Sequence, residues 1–136
     1  MKLFIDANVL LDVLLSRQPF VECSVQVLDL CAKKKAVGCC SGLTVCNLMY
    51  ILRKHCTLET ARQCMSDFAT FVEIVDVKSA SVIGALHSAN PDFEDAVQVG
   101  CAATSGADAI VTRDKIGFED AGIPVYTPAE LISLFT

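Results

Sequence analysis

The chain has 136 residues, a net charge of −5 and 53% hydrophobic residues. That length fits one domain with its own core, and a mean hydropathy of +0.50 excludes a disordered segment. An isoelectric point near 4.8 argues against a sequence-specific duplex binder, which shows a broad basic face, yet is compatible with an acidic site that holds cations.

No apolar run approaches the roughly 18–20 residues that cross a bilayer, so no membrane association is expected. Met1 to Ile5 is too short for a signal-peptide core and meets Asp6 at once. Read as a first strand, it makes the protein cytoplasmic. The eight cysteines include no Cys-x-x-Cys pair and have only His55 and His87 to complement them, so a closed zinc site is poorly supported. Reduced thiols on apolar faces are expected instead.

In chain order, Leu3 to Ile5 reads as a buried strand and Val9 to Leu15 as a short helix, with Pro19 downstream. Helical spacing continues from Val21 to Lys35, with Val25, Leu28 and Cys31/Ala32 on one face and three lysines at the end. Ala36 to Cys40 reads as the second strand. Leu43 to His55 is a helix with Leu43, Cys46/Asn47, Tyr50/Ile51 and Lys54 on one stripe, and another begins at Thr57 with Ala61, Cys64/Met65 and Phe68 buried. Glu73 to Val77 is a third strand, followed by a helix from Ser79 to Ala89. The next helix, Asp92 to Ser105, closes at Gly106; Ala109 to Thr112 is a short apolar strand. Pro124 to Tyr126 is the last strand, and Thr127-Pro128-Ala129-Glu130 is a capping box with proline at the first helical position. Five strands separated by helices predict a single α/β domain over 1–136, with a five-stranded parallel sheet flanked by helices on both faces.

In such sheets ligands sit beyond the carboxyl ends of the strands. Asp6 and Asp114 each follow a strand, and Asp95 lies on the flank of an otherwise apolar helix, where a carboxylate needs a partner. Carboxylates gathered in one crevice either take up protons or hold a cation. Hard oxygen ligands without Cys or His select Mg2+ or Mn2+, and such ions serve phosphodiester hydrolysis. Taken singly, Asp6 also reads as a helix cap and Asp114 as a turn residue.

The set Phe4-Ile5-Asp6-Ala7-Asn8-Val9-Leu10-Leu11-Asp12, Asp92-Phe93-Glu94-Asp95-Ala96 and Val111-Thr112-Arg113-Asp114 resembles the PIN-domain ribonucleases over nearly the whole chain, and looks like their small VapC-type toxin members. The resemblance implies a Rossmann-like sheet, a Mg2+- or Mn2+-dependent endoribonuclease, a homodimer and a cognate antitoxin protein. By that resemblance Asp6, Asp95 and Asp114 are the catalytic, metal-binding acids, with Asn8 and Thr112 supporting them. The family's second acid, a glutamate, is matched here by Asn47, which brings no charge; Asp92 is the expected compensation nearby. Arg113, Lys115, Arg53 and Lys54 are the candidate contacts to RNA phosphates. Glu94 is expected to face solvent, and Asp12 to be a surface acid or a partner of Arg17. Two alternatives remain: a catalytically weakened PIN-like module binding RNA or protein, and a phospho-receiver-type signalling domain using Asp76 and Lys115; a dehalogenase-type phosphatase would want an acid two residues after Asp6, where Asn8 stands.

Overall fold

The computed structural model describes residues 1–136. Its sheet consists of β1 (Lys2–Ile5), β2 (Val37–Ser41), β3 (Val72–Val75), β4 (Ala109–Val111) and β5 (Val125–Tyr126), in the order β3-β2-β1-β4-β5. Every pairing is parallel, with Phe4 opposite both Cys39 and Ile110. The expected architecture holds.

Strand side chains alternate between faces, and the core divides accordingly. Leu3, Ile5, Cys40, Ala109 and Val111 enter one apolar cluster, while Phe4, Cys39 and Ile110 enter the other. The first cluster is covered by α1 (Ala7–Leu14), α2 (Val21–Ala32), α3 (Gly42–Leu52), α4 (Leu58–Phe68) and α7 (Pro128–Leu134). The second is covered by α5 (Ser79–Leu86) and α6 (Phe93–Ser105). Chain direction explains the split. From β1 to β3 the sheet grows one way, and the step to β4 returns past β2 and β1. Right-handed crossovers then place α5 and α6 on the opposite face. The reversal leaves a crevice beyond the carboxyl ends of β1 and β4.

Local chemistry sets the helix starts. Ser41, Thr57 and Asp92 cap α3, α4 and α6 through side-chain oxygens, and Thr127 with Glu130 forms the predicted capping box of α7. Gly106 closes α6 at φ 75°, a left-handed conformation that favours glycine.

Some helix faces and ends differ from expectation. The buried face of α2 is Ser24, Val27, Leu28 and Cys31, while Val25 is exposed; α2 also stops at Ala32, before the lysines, and Lys34 turns with φ 59°. In α3 the buried residues are Thr44, Leu48 and Leu52, and Tyr50 is exposed. α3 carries apolar residues nearly all round and α2 over more than half its circumference, so periodicity alone left the buried face undetermined. α5 ends at Leu86, short of Ala89, ahead of Pro91, which disfavours helix in the residue before it. All eight cysteines are unpaired; Cys31, Cys39, Cys40 and Cys101 are buried, whereas Cys46 is exposed and not on an apolar face. No helix is long and apolar enough to cross a membrane.

Candidate active site

Asp6 leaves β1 as the N-cap of α1, its Oδ1 accepting from Ala7 N at 2.8 Å. Its Oδ2 accepts from the Thr112 hydroxyl at 2.7 Å. Thr112 is fully buried just past β4, where its Oγ also accepts from Asn8 Nδ2 at 3.2 Å and from Asp114 N at 3.1 Å. Asn8 Oδ1 accepts from Arg113 N at 3.2 Å. One hydrogen-bonded chain therefore ties the turn after β1 to the turn after β4. It orients the Asp6 carboxylate and brings Asp114 beside it.

The other wall comes from α6. Asp92 caps it by accepting from Asp95 N at 3.0 Å, and Asn90 Oδ1 in turn accepts from Asp92 N at 3.0 Å. Asp95, one turn in, is half-buried with Gly117 directly against its carboxylate; a Cβ at 117 would overlap Oδ2. Asn90 Nδ2 donates to Gly117 O at 2.9 Å and holds that loop in place. From α3, Asn47 Nδ2 donates to Glu94 Oε1. Glu94 is thus exposed, as expected, but it leans over Asn47 and adds its charge to the acids. The clue in the sequence was the missing charge at Asn47, for which Asp92 had been the nearer candidate.

These carboxylates act on one another. Burial pushes the Asp6 carboxyl above the usual range against the lowering effect of Thr112 and Ala7, and Asp114 and Glu94 raise it further. Asp95 is raised to about 6, first by burial and then by Asp92, Asp6, Asp114 and Glu94. None of the protein's ion pairs involves Asp6, Asp95, Asp114 or Glu94. The set is all oxygen, mutually repelling and without a cationic partner, which fits a hard divalent cation such as Mg2+ or Mn2+. The side chains do not close into a tight three-ligand cage of His, Cys, Asp and Glu.

The basic residues are placed differently. Arg113 turns away from the acids: its Nε and Nη2 donate to Asp12 at 2.7 and 3.0 Å, and its guanidinium lies 3.9 Å from the Phe20 ring centroid. Asp12 is correspondingly not a surface acid. It is 0% exposed, accepts also from Ser24 at 3.2 Å, and has Arg17 Nε only 3.9 Å away. The helix spacing that made Asp12 look solvated did not anticipate a partner more than a hundred residues on. Lys115 pairs with Glu130 at 3.0 Å. Arg53 and Lys54 follow α3, roughly 9–11 Å beyond Asn47 at the helical rise, and Lys54 covers the Tyr50 ring. Asp76 follows the edge strand β3, about 10 Å across two strand spacings from Asp6, too far to form a receiver-type acid pair.

A PIN-domain profile matches residues 2–116. The chain belongs to the PIN-domain family. PIN domains are in general nucleases. Solved structures share the fold. A toxin–antitoxin complex from Klebsiella pneumoniae superposes with a TM-score of 0.68 at 20% identity, covering 92% of this chain and 96% of that one. VapBC-1 from nontypeable Haemophilus influenzae gives 0.71 at 11% identity, covering 95% and 99%. DNA-bound VapBC from Salmonella typhimurium gives 0.67 at 19% identity, covering 94% and 98%. A sequence search of curated proteins returns no match.

Proposed function

We propose that this PIN domain is a metal-dependent endoribonuclease acting as the toxin of a toxin–antitoxin pair. The observation that carries the reading is the group of carboxylates at the carboxyl ends of β1 and β4, left without any protein cation. The similarity to structures of toxin–antitoxin complexes supports the cellular role and a cognate antitoxin partner, and with that reading goes a homodimeric, cytoplasmic form.

Asp6, Asp95 and Asp114 would hold Mg2+ or Mn2+, with Asn47 offering an amide oxygen and Glu94 the charge that Asn47 lacks. A bound divalent ion would neutralise the phosphate and activate water for in-line displacement. The chain itself does the positioning. Thr112 and Asn8 fix the Asp6 carboxylate and the turn bearing Asp114, while Asn90 and Gly117 fix Asp95. Arg113 stabilises the wall from behind, through Asp12. The RNA phosphates would be met by metal-neutralised acids more than by free basic side chains, since Lys115 is neutralised by Glu130.

Asn47 favours a second reading, a PIN-like module that binds RNA or a protein without cutting. One assay separates them. A mixed single-stranded RNA pool is incubated with Mg2+ or Mn2+, beside an Asp95→Asn variant of equal purity. Metal-dependent cleavage that vanishes in the variant is expected. No cleavage, together with no Mg2+ or Mn2+ binding by calorimetry, would leave only the binding module.

A further inference from the structure

Next to the acid crevice, the carboxyl edge of the sheet carries a second concavity. A cleft of about 470 Å3 opens between the loop joining α1 to α2 and the start of α7, with Pro19, Phe20, Arg113, Thr127 and Pro128 in its lining. Cleft and crevice share a wall, because the Arg113 backbone is bonded to Asn8, Asn8 to Thr112, and Thr112 to Asp6. Phe20 is 41% exposed, and its ring is held flat by the Arg113 guanidinium, which Asp12 in turn clamps through both oxygens. The Thr127 hydroxyl accepts from Glu130 N and keeps its own proton free to donate.

Charge distinguishes this cleft from its surroundings. Arg17 and Arg113 both approach Asp12, two guanidiniums on one carboxylate, which leaves one positive charge in excess. Arg17 Nε is buried without a hydrogen-bond partner, while the rest of its side chain reaches the surface. The other cation beside the acids, Lys115, is spent on Glu130. Arg17, joined to the Arg113 wall of the cleft through Asp12, is thus the neighbouring cation left in excess.

We infer that this cleft takes one unpaired nucleotide of a single-stranded RNA, its base against the Phe20–Arg113 shelf between Pro19 and Pro128 and its phosphate at Arg17. The inference rests on the ribonuclease reading for the RNA, and adds that the substrate must present a free base. Stacking on an aromatic ring tolerates any base but requires it to be unpaired, so a duplex cannot use the shelf.

The test is fluorescence anisotropy of a short mixed-sequence RNA, single-stranded or as a blunt duplex, with the full chain in EDTA at low salt. Phe20→Leu keeps apolar volume without the ring, and Arg17→Gln removes the charge; melting curves confirm that both variants are folded. Phe20→Leu should weaken single-strand binding roughly tenfold and leave the duplex unchanged. Arg17→Gln should weaken both and lower the salt slope by about one. Equal affinities for all three folded proteins would overturn the inference and return the cleft to a protein partner, while metal-dependent cleavage by the wild type kept the nuclease reading intact. Equal losses on single strand and duplex from Phe20→Leu would overturn the base shelf. A wild type that neither binds nor cuts RNA would remove both readings together.

Discussion

Asp6 and Asp12 stand at the start and within the same short helix, yet the protein treats them in opposite ways. Asp12 is enclosed and fully compensated: a bidentate arginine, a serine hydroxyl and a second arginine surround it. Asp6 is buried with only two hydrogen bonds against it, and burial first, then the facing acids, pushes its carboxyl upward. A carboxylate that the fold neutralises is part of the scaffold. One that the fold leaves repelling its neighbours is the kind we propose takes a cation from outside. The two sites also depend on each other, because Arg113 serves Asp12 with its side chain and the acid crevice with its backbone.

The comparison breaks most severely at Arg113. Arg113→Ala would leave the buried Asp12 carboxylate with only the Ser24 hydroxyl and the more distant Arg17 Nε at 3.9 Å, a loss approaching the roughly 3–5 kcal/mol of a broken buried pair. A large fall in the urea midpoint is expected; an unchanged midpoint would show that Asp12 does not need the pair. Next in size is Gly117→Ala, whose Cβ must displace the Asp95 carboxylate. Metal-dependent cleavage should fall by about 100-fold, the cost expected when a reacting geometry shifts by roughly 1 Å, with the melting temperature nearly unchanged. Retained cleavage would mean that Asp95 moves without consequence.

A gentler probe is pH in the metal-free protein. The folded Asp95 carboxyl titrates near 6 against its ordinary 3.8, so the folded state binds more protons in that interval. Stability should therefore rise as pH falls from about 7 towards 5, opposite to the usual acid loss. Glu130 works the other way only lower down. Lys115 and the Thr127 backbone hold its carboxyl below the ordinary 4.5, so its contribution is present above that value and lost as pH falls through the folded one. Millimolar Mg2+ or Mn2+ at pH 7 should raise the melting temperature and flatten the profile, since a ligand of the folded state alone stabilises it. A profile with no rise on acidification would show that the acids do not strain one another. The smallest expected effect concerns the thiols. Cys46 is exposed, whereas burial raises Cys31 to about 11 and Cys40 to about 12. Mass spectrometry after brief alkylation should find Cys46 modified first, with Cys31 and Cys40 protected until unfolding.

Much of this was legible in the residues because it is encoded over short distances. Strand and helix order followed from apolar runs and punctuation, and Thr57 and Thr127 cap the helices whose first residues they touch. The acids that follow β1 and β4, with Asp95 on α6, could be placed at one edge because parallel strands all point their carboxyl ends the same way. What stayed hidden depended on partners far apart in sequence. Val25 and Tyr50 face water because the neighbours of α2 and α3 cover other parts of those broad apolar faces. Asp12 lies in the interior because Arg113 reaches it across 101 positions, and Glu94 leans on Asn47 across 47. The sequence by itself determined the elements, their parallel arrangement and the three acids. Only the tertiary structure decided which charges are neutralised and which are left free, because charge pairing in a protein interior is a property of three-dimensional proximity and not of spacing along the chain.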